Sequence, residues 1–169
     1  MTLLQFVVLL VAIQRLLELV YAARNTKALK ARGGIEVGAG HYPLIVLVHA
    51  GWLAALLFFV PADAFVSWPL LAIFIVLQGL RVWVVTSLGP YWTTRIITVP
   101  GAPLRRRGPY RFMRHPNYAV VAGEIFVLPL AFGAWQIALL FSLLNALVLA
   151  WRIHMEESAN RDRRSLSPL

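Results

Sequence analysis

Apolar runs close to membrane length, separated by segments that collect nearly all the basic residues, constrain this chain more than any other feature. A transmembrane helix needs about 20 mostly apolar residues. Five runs approach that length, at residues 3–23, 43–60, 65–88, 118–132 and 135–153. The first has no basic n-region and no clean cleavage site, and it carries Arg15 and Glu18, so it reads as a span rather than a signal peptide. "PAD" at 61–63 and "FGAW" at 132–135 are short enough to predict antiparallel helical hairpins. The expected fold is an all-α integral membrane protein of five spans forming a single domain over 1–169. Its first part, 1–88, holds three spans; its second, 89–169, holds a loop, a helical hairpin and a tail.

Charge fixes an expected orientation. The 24–42 connection holds Arg24, Lys27, Lys30 and Arg32, and the 89–117 connection holds Arg95, Arg105, Arg106, Arg107, Arg111 and Arg114. The tail adds Arg161, Arg163 and Arg164, while the two short turns carry no basic residue. An odd span count and the positive-inside rule agree on an outside N-terminus and a cytoplasmic C-terminus. The net charge of +9 on a chain that is 60% hydrophobic thus reads as orientation and contact with membrane lipids, not nucleic-acid binding. With no cysteine, disulfides, thiolate metal sites and a catalytic thiol are excluded.

Ionisable groups inside spans cost about 2.5–3.5 kcal/mol or more each at the centre, so each needs a reason. Arg15 and Glu18 are three apart, as are Gln78 and Arg81. That spacing suits pairing on one helix face or snorkelling at a span end. Glu124 reads as a polar anchor in the bundle, and His41 and His49 as structural. Asn145, Arg152 and Glu156, at spacings of seven and four, share one face of the last helix.

The 89–117 connection, "GPYWTTRIITVPGAPLRRRGPYRFMRHPN", alternates cations with aromatics and is broken by Gly and Pro. Taken alone, Arg105-Arg106-Arg107 reads as a patch for lipid headgroups. His115-Pro116 predicts a helix start, with Pro116 in the first turn, where its missing N–H does no harm. Such a start offers amides and a positive dipole end to a polar ligand. The hairpin returns "WRIHMEES" to the same face, so Arg152, His154, Glu156 and Glu157 confront the basic loop. Cations, aromatics and two carboxylates across a short gap suit a zwitterion carrying an aromatic base.

"GPYRFMRHPNY", a hydrophobic hairpin and then "RIHMEE" together resemble the isoprenylcysteine carboxyl methyltransferase family, over roughly residues 88–160. "HYPLIVLVH" resembles a short bacterial branch of that family, whose members methylate hydroxyls of long-chain phenolic or pyrone lipids. The resemblance implies S-adenosylmethionine bound at the cytoplasmic end of the last helices, in a bacterial cytoplasmic membrane. It implies that Tyr110 walls the cofactor, that His115, Pro116, Asn117 and Tyr118 contact it, and that Glu156, with Glu157 beside it, holds its ammonium group. Ala102, Pro103, Leu104 and Arg105 would line the pocket by backbone, and Arg152 would face a lipophilic acceptor entering from the bilayer.

A carboxylate acceptor needs no base; a phenol with pKa of about 10 does. His115, His154, Glu157 and Glu124 are the candidate bases, and His154 is taken with Arg152 as the catalytic pair. Phospholipid or amine N-methylation is an alternative, although Arg152 would repel a protonated amine. An NADPH-dependent membrane reductase with a similar "RHPNY" element is another, and a non-enzymatic lipid-bound protein a third.

Overall fold

Helix signals at the chain start are strong. Thr2 Oγ1 accepts from the Gln5 amide at 3.2 Å while Gln5 Oε1 accepts from the Thr2 amide at 3.0 Å, a reciprocal cap that satisfies two otherwise orphaned donors. In the computed structural model, which describes residues 1–100 and 107–159, five helices follow. They are α1 (Leu3–Ala31), α2 (Tyr42–Phe59), α3 (Trp68–Leu88), α4 (Pro116–Ala131) and α5 (Trp135–Ala159). Two three-residue strands, β1 (Ile35–Val37) and β2 (Ile96–Thr98), pair antiparallel with Glu36 opposite Ile97. Among the described residues the regular structure is therefore helical apart from one small ribbon that the apolar pattern does not announce.

α1, α2, α5 and α3 carried on to Tyr91 are each long and apolar enough to cross a membrane. α4 has 16 residues, about 24 Å at 1.5 Å per residue, against a ~30 Å hydrocarbon core. It starts at Pro116, two residues before the expected span. With four membrane-length helices, the chain is an integral membrane protein.

Two expected boundaries move. α1 continues eight residues past 23 because its polar end has a partner. Asn25 is buried and its Nδ2 donates to the carbonyls of Gly89 at 3.1 Å and Trp92 at 2.8 Å. α3 starts at Trp68 rather than 65, because the Ser67 amide donates to the Ala131 carbonyl at 2.8 Å, closing the end of α4 instead of extending α3. Consequently 61–63 does not close a packed hairpin. α2 lies against α1 and α5, and α3 lies against α4. The 132–135 turn is a tight one. Gly133 takes φ +71°, a left-handed value that suits glycine at a helix end, and α4 and α5 pack along each other.

The main core gathers all five helices, with Val8, Trp52, Leu56, Phe74, Ile125 and Leu128 at its centre. Where α3 meets α4, a side chain at Gly123 would crowd Leu77, whose Cδ1 lies 3.1 Å from the ideal Cβ position; small residues permit such close helix contact. A second cluster, Ala22, Val84, Trp92 and Val120, with Tyr110 against it, supports the end where the basic connections meet.

Candidate active site

Gly108 anchors the returning loop. Its φ is +54°, and an added Cβ would fall 2.1 Å from Ser87 Oγ, so both backbone and space require glycine. This presses the second Gly-Pro-Tyr turn onto the end of α3 and leaves Pro109 buried and Tyr110 half-buried. Burial, and then the charge of Glu156, pushes the Tyr110 phenol up from its ordinary range. A phenol shifted in that direction is no candidate for a base.

His115 caps α4 through its backbone. Its carbonyl accepts from the amides of Tyr118 at 3.1 Å and Ala119 at 3.3 Å, and its ring makes no capping bond. The ring instead stacks on Tyr118, with centroids 5.2 Å apart and planes 10° from parallel. Pro116 is buried in the first turn. The Tyr118 hydroxyl donates to the Glu156 carboxylate and accepts from Arg152 Nε at 2.7 Å. The spacing of four between Arg152 and Glu156 thus puts both on one tyrosine oxygen. Asn145, further along that face, is buried as well.

Around this centre the contacts loosen. His115 Nδ1 is 3.8 Å from Glu156 and Nε2 is 3.7 Å from Glu157. Arg114, which sequence reasoning left out of the site although it adjoins His115, lies 3.6 Å from Glu157. His115 Nε2 and Asn117 Oδ1 are buried and have no hydrogen-bond partner among the described residues. Buried polar atoms are nearly always satisfied; Arg15 Nε, Trp52 Nε1, Gln78 Oε1, Trp92 Nε1 and Ser142 Oγ share this state elsewhere, and these two belong to the segment that meets Glu156.

The structure thus brings together Tyr110, His115, Asn117, Tyr118, Arg152, Glu156 and Glu157. His154 is exposed, two residues from buried Arg152 and on a different face of α5. Ala102, Pro103, Leu104 and Arg105 lie outside the described residues, as do the tail beyond Ala159 and the side chain of His41.

A second polar cluster lies within the bundle. Glu18 accepts from Arg81 Nε at 2.7 Å and Arg81 NH2 at 2.5 Å, from Arg15 at 3.2 Å and from Gln14 at 3.3 Å. Glu124 accepts from Arg15 at 2.7 Å, Arg81 at 3.2 Å and Gln78 at 2.9 Å. The Arg15–Glu18 pairing was legible from spacing. The bridging of α1, α3 and α4 was not, although two arginines matched by two glutamates in three spans was a signal for it. His49 Nδ1 contacts the Ile45 carbonyl at 2.8 Å, one turn back in its own helix.

With this geometry in view, comparison with known proteins gives a consistent answer. An uncharacterized protein of Bacillus subtilis, YpbQ, is 41% identical over 157 residues, covering 87% of this chain and 90% of its own. An uncharacterized protein of Haemophilus influenzae is 30% identical over 150 residues, covering 86% and 87%. No solved structure matches at a significant level. The model of the isoprenylcysteine carboxyl methyltransferase family matches residues 70–160, which takes in α3, the basic connection, α4 and α5; the chain belongs to that family of membrane methyltransferases.

Proposed function

We propose that the protein transfers a methyl group from S-adenosylmethionine to an oxygen of a lipophilic acceptor, a carboxylate or a phenol or enol. The observation that carries this reading is the pair of unpartnered buried atoms, His115 Nε2 and Asn117 Oδ1, beside the Glu156 carboxylate. One donor or acceptor on an imidazole, one acceptor on an amide and one carboxylate suit a ligand that carries donors and a positive charge together. S-adenosylmethionine has that character, and when bound it supplies an electrophilic methyl on a sulfonium.

The work left to the protein is alignment, which can supply about 7–11 kcal/mol of a barrier. Glu156 would hold the ammonium group, His115 and Asn117 the polar edges, and the Tyr110 and Tyr118 rings the flat surfaces. Tyr118 couples this region to Arg152, since its oxygen touches both side chains. Arg152 would stabilise negative charge on the acceptor oxygen, which lowers that group's pKa, whereas it would repel a protonated amine. His154, exposed near the end of α5, is the candidate to carry a proton away to water.

The acceptor enters from the bilayer. The α1–α2 and α3–α4 connections share the ribbon, so their basic residues gather at one end of the bundle. We read five crossings, counting the shorter α4, with that end in the cytoplasm as the positive-inside rule favours, and the bacterial relatives support a bacterial cytoplasmic membrane.

The test is to incubate membranes with methyl-labelled S-adenosylmethionine and fractionate the lipids. Label is expected in an isoprenylcysteine-like acid or in a phenolic or pyrone lipid. Label confined to phospholipid amines would transfer the chemistry to nitrogen. A thermal shift of the purified protein with NADPH and none with S-adenosylmethionine would replace methyl transfer with reduction.

A further inference from the structure

A crevice of about 390 Å³ opens between α1, the start of α2 and the approach to β2, lined by Leu19, Ala23, Thr26, Lys27, Lys30, Tyr42, Thr94 and Arg95. Its size falls within the ~300–1,000 Å³ of small-molecule sites. Its α1 wall steps by 4, 3, 1 and 3 residues, so it follows a single helix face. Along that face the chemistry changes in one direction. Leu19 and Ala23 lie in the apolar part of α1, and Thr26, Lys27 and Lys30 lie in its polar extension. From Leu19 to Lys30 is about 16 Å of helix.

The rim is set in place. Arg95 lies over the Tyr42 ring, 4.4 Å from its centroid, and its NH1 donates to Glu36 at 2.5 Å. Lys30 Nζ donates to the other Glu36 oxygen at 2.6 Å. One carboxylate therefore fixes two cations, and Lys27 adds a third with no ion pair among the described residues. The three cations less one anion leave an excess of two positive charges. The hydroxyls of Thr26, Thr94 and Tyr42 complete a set of donors suited to an oxyanion; Thr94 Oγ1 donates to the Tyr42 oxygen only at a long 3.5 Å.

We infer that this crevice is a binding site for an anionic phospholipid, with the phosphodiester on Lys27, Arg95 and the two threonines and an acyl chain descending along Ala23 and Leu19. A free phosphate would use the rim and leave the apolar half of the wall unused. The crevice is lined by none of the residues of the methyl-transfer cluster, and it calls for no reaction.

The test uses the full-length protein in detergent, with retained lipid counted by native mass spectrometry after exposure to phosphatidylglycerol or phosphatidylcholine. Phosphatidylglycerol is expected to be retained about tenfold more strongly, and Lys27→Gln to reduce that retention about fivefold, as one interfacial cation should. Lys27 is exposed, so the variant should fold; Thr94→Val is the second variant, expected to lower retention in the same direction. Arg24→Gln, exposed on the same helix outside the crevice, should change it little. Equal retention of the two lipids, or equal loss in Lys27→Gln and Arg24→Gln, would overturn the site in favour of diffuse surface attraction. Displacement of the lipid by millimolar glycerol phosphate as effective as by fresh phosphatidylglycerol would reassign it to soluble phosphate.

Discussion

Two of the molecule's sets of arginines and glutamates are built differently. In the bundle, Glu18 and Glu124 receive bonds from Arg15, Arg81, Gln14 and Gln78, nearly all between 2.5 and 3.2 Å, and Glu124 is 1% exposed. Around the fourth helix start, Tyr118 makes short bonds to Arg152 and Glu156, while the ion contacts of Glu156 and Glu157 with His115 and Arg114 stretch to 3.6–3.8 Å. Each set also holds two buried polar atoms without a hydrogen-bond partner among the described residues, Arg15 Nε and Gln78 Oε1 in the bundle and His115 Nε2 and Asn117 Oδ1 at the basic end. The difference lies in the carboxylates. Glu18 and Glu124 are held by short bonds from arginine, whereas His115 and Arg114 stand 3.6–3.8 Å from Glu156 and Glu157, which are partly exposed. Like residue types therefore carry opposite meanings, and how tightly each carboxylate is held separates an anchor from a binding site.

Substitution in each set can break that distinction. Glu124→Gln should have the largest effect. It leaves Arg15 and Arg81 sharing a single carboxylate away from water, and breaking a buried pair costs about 3–5 kcal/mol. Chemical denaturation in detergent should show a loss of that size. A stability equal to the parent's would show that the bundle cluster is not an anchor.

Glu156→Gln should act the other way round. Stability should change by less than about 1 kcal/mol, since Glu156 is 28% exposed. Affinity for S-adenosylmethionine should fall tenfold or more by calorimetry, from the ~1.5–3 kcal/mol of a charged hydrogen bond. Unchanged affinity would remove Glu156 from the site.

The smallest effect belongs to the ribbon. Hydrogen bonds from Lys30 and then Arg95 hold the Glu36 carboxyl below its usual range. A depressed carboxylate contributes stability above its ordinary pKa of about 4.3 and loses it as pH falls through the lower folded value. The parent should therefore unfold slightly later than Glu36→Gln at pH 7, by up to about 1 kcal/mol. The gap should close in acid below pH 4. A gap that widens on acidification would mean that the ribbon is not held by this carboxylate.

What could be read in advance was local. His115-Pro116 specifies its own helix start, the 132–135 turn is short enough to force return, and Arg152 and Glu156 are fixed relative to each other by helical spacing. Neighbours across the bundle were not legible. Arg15 finds Glu124 at a separation of 109 residues, and apolar periodicity says little about helix contacts when lipid accepts any apolar face. The ribbon pairs three residues with three, too few for an alternating pattern to stand out. α2 and α3 looked like a hairpin because the apolar run resumes at 65, yet Ser67 is committed to the end of α4.

The charges in the bundle also bear on which helices can stand alone in lipid. The apolar part of α1 carries Arg15 and Glu18 one turn apart, so it balances its own charge. α3 brings Arg81 with no acid of its own, and α4 brings Glu124 with no base of its own. Each of these two is neutralised only across the bundle, so the three helices depend on one another for a charge-free passage through lipid.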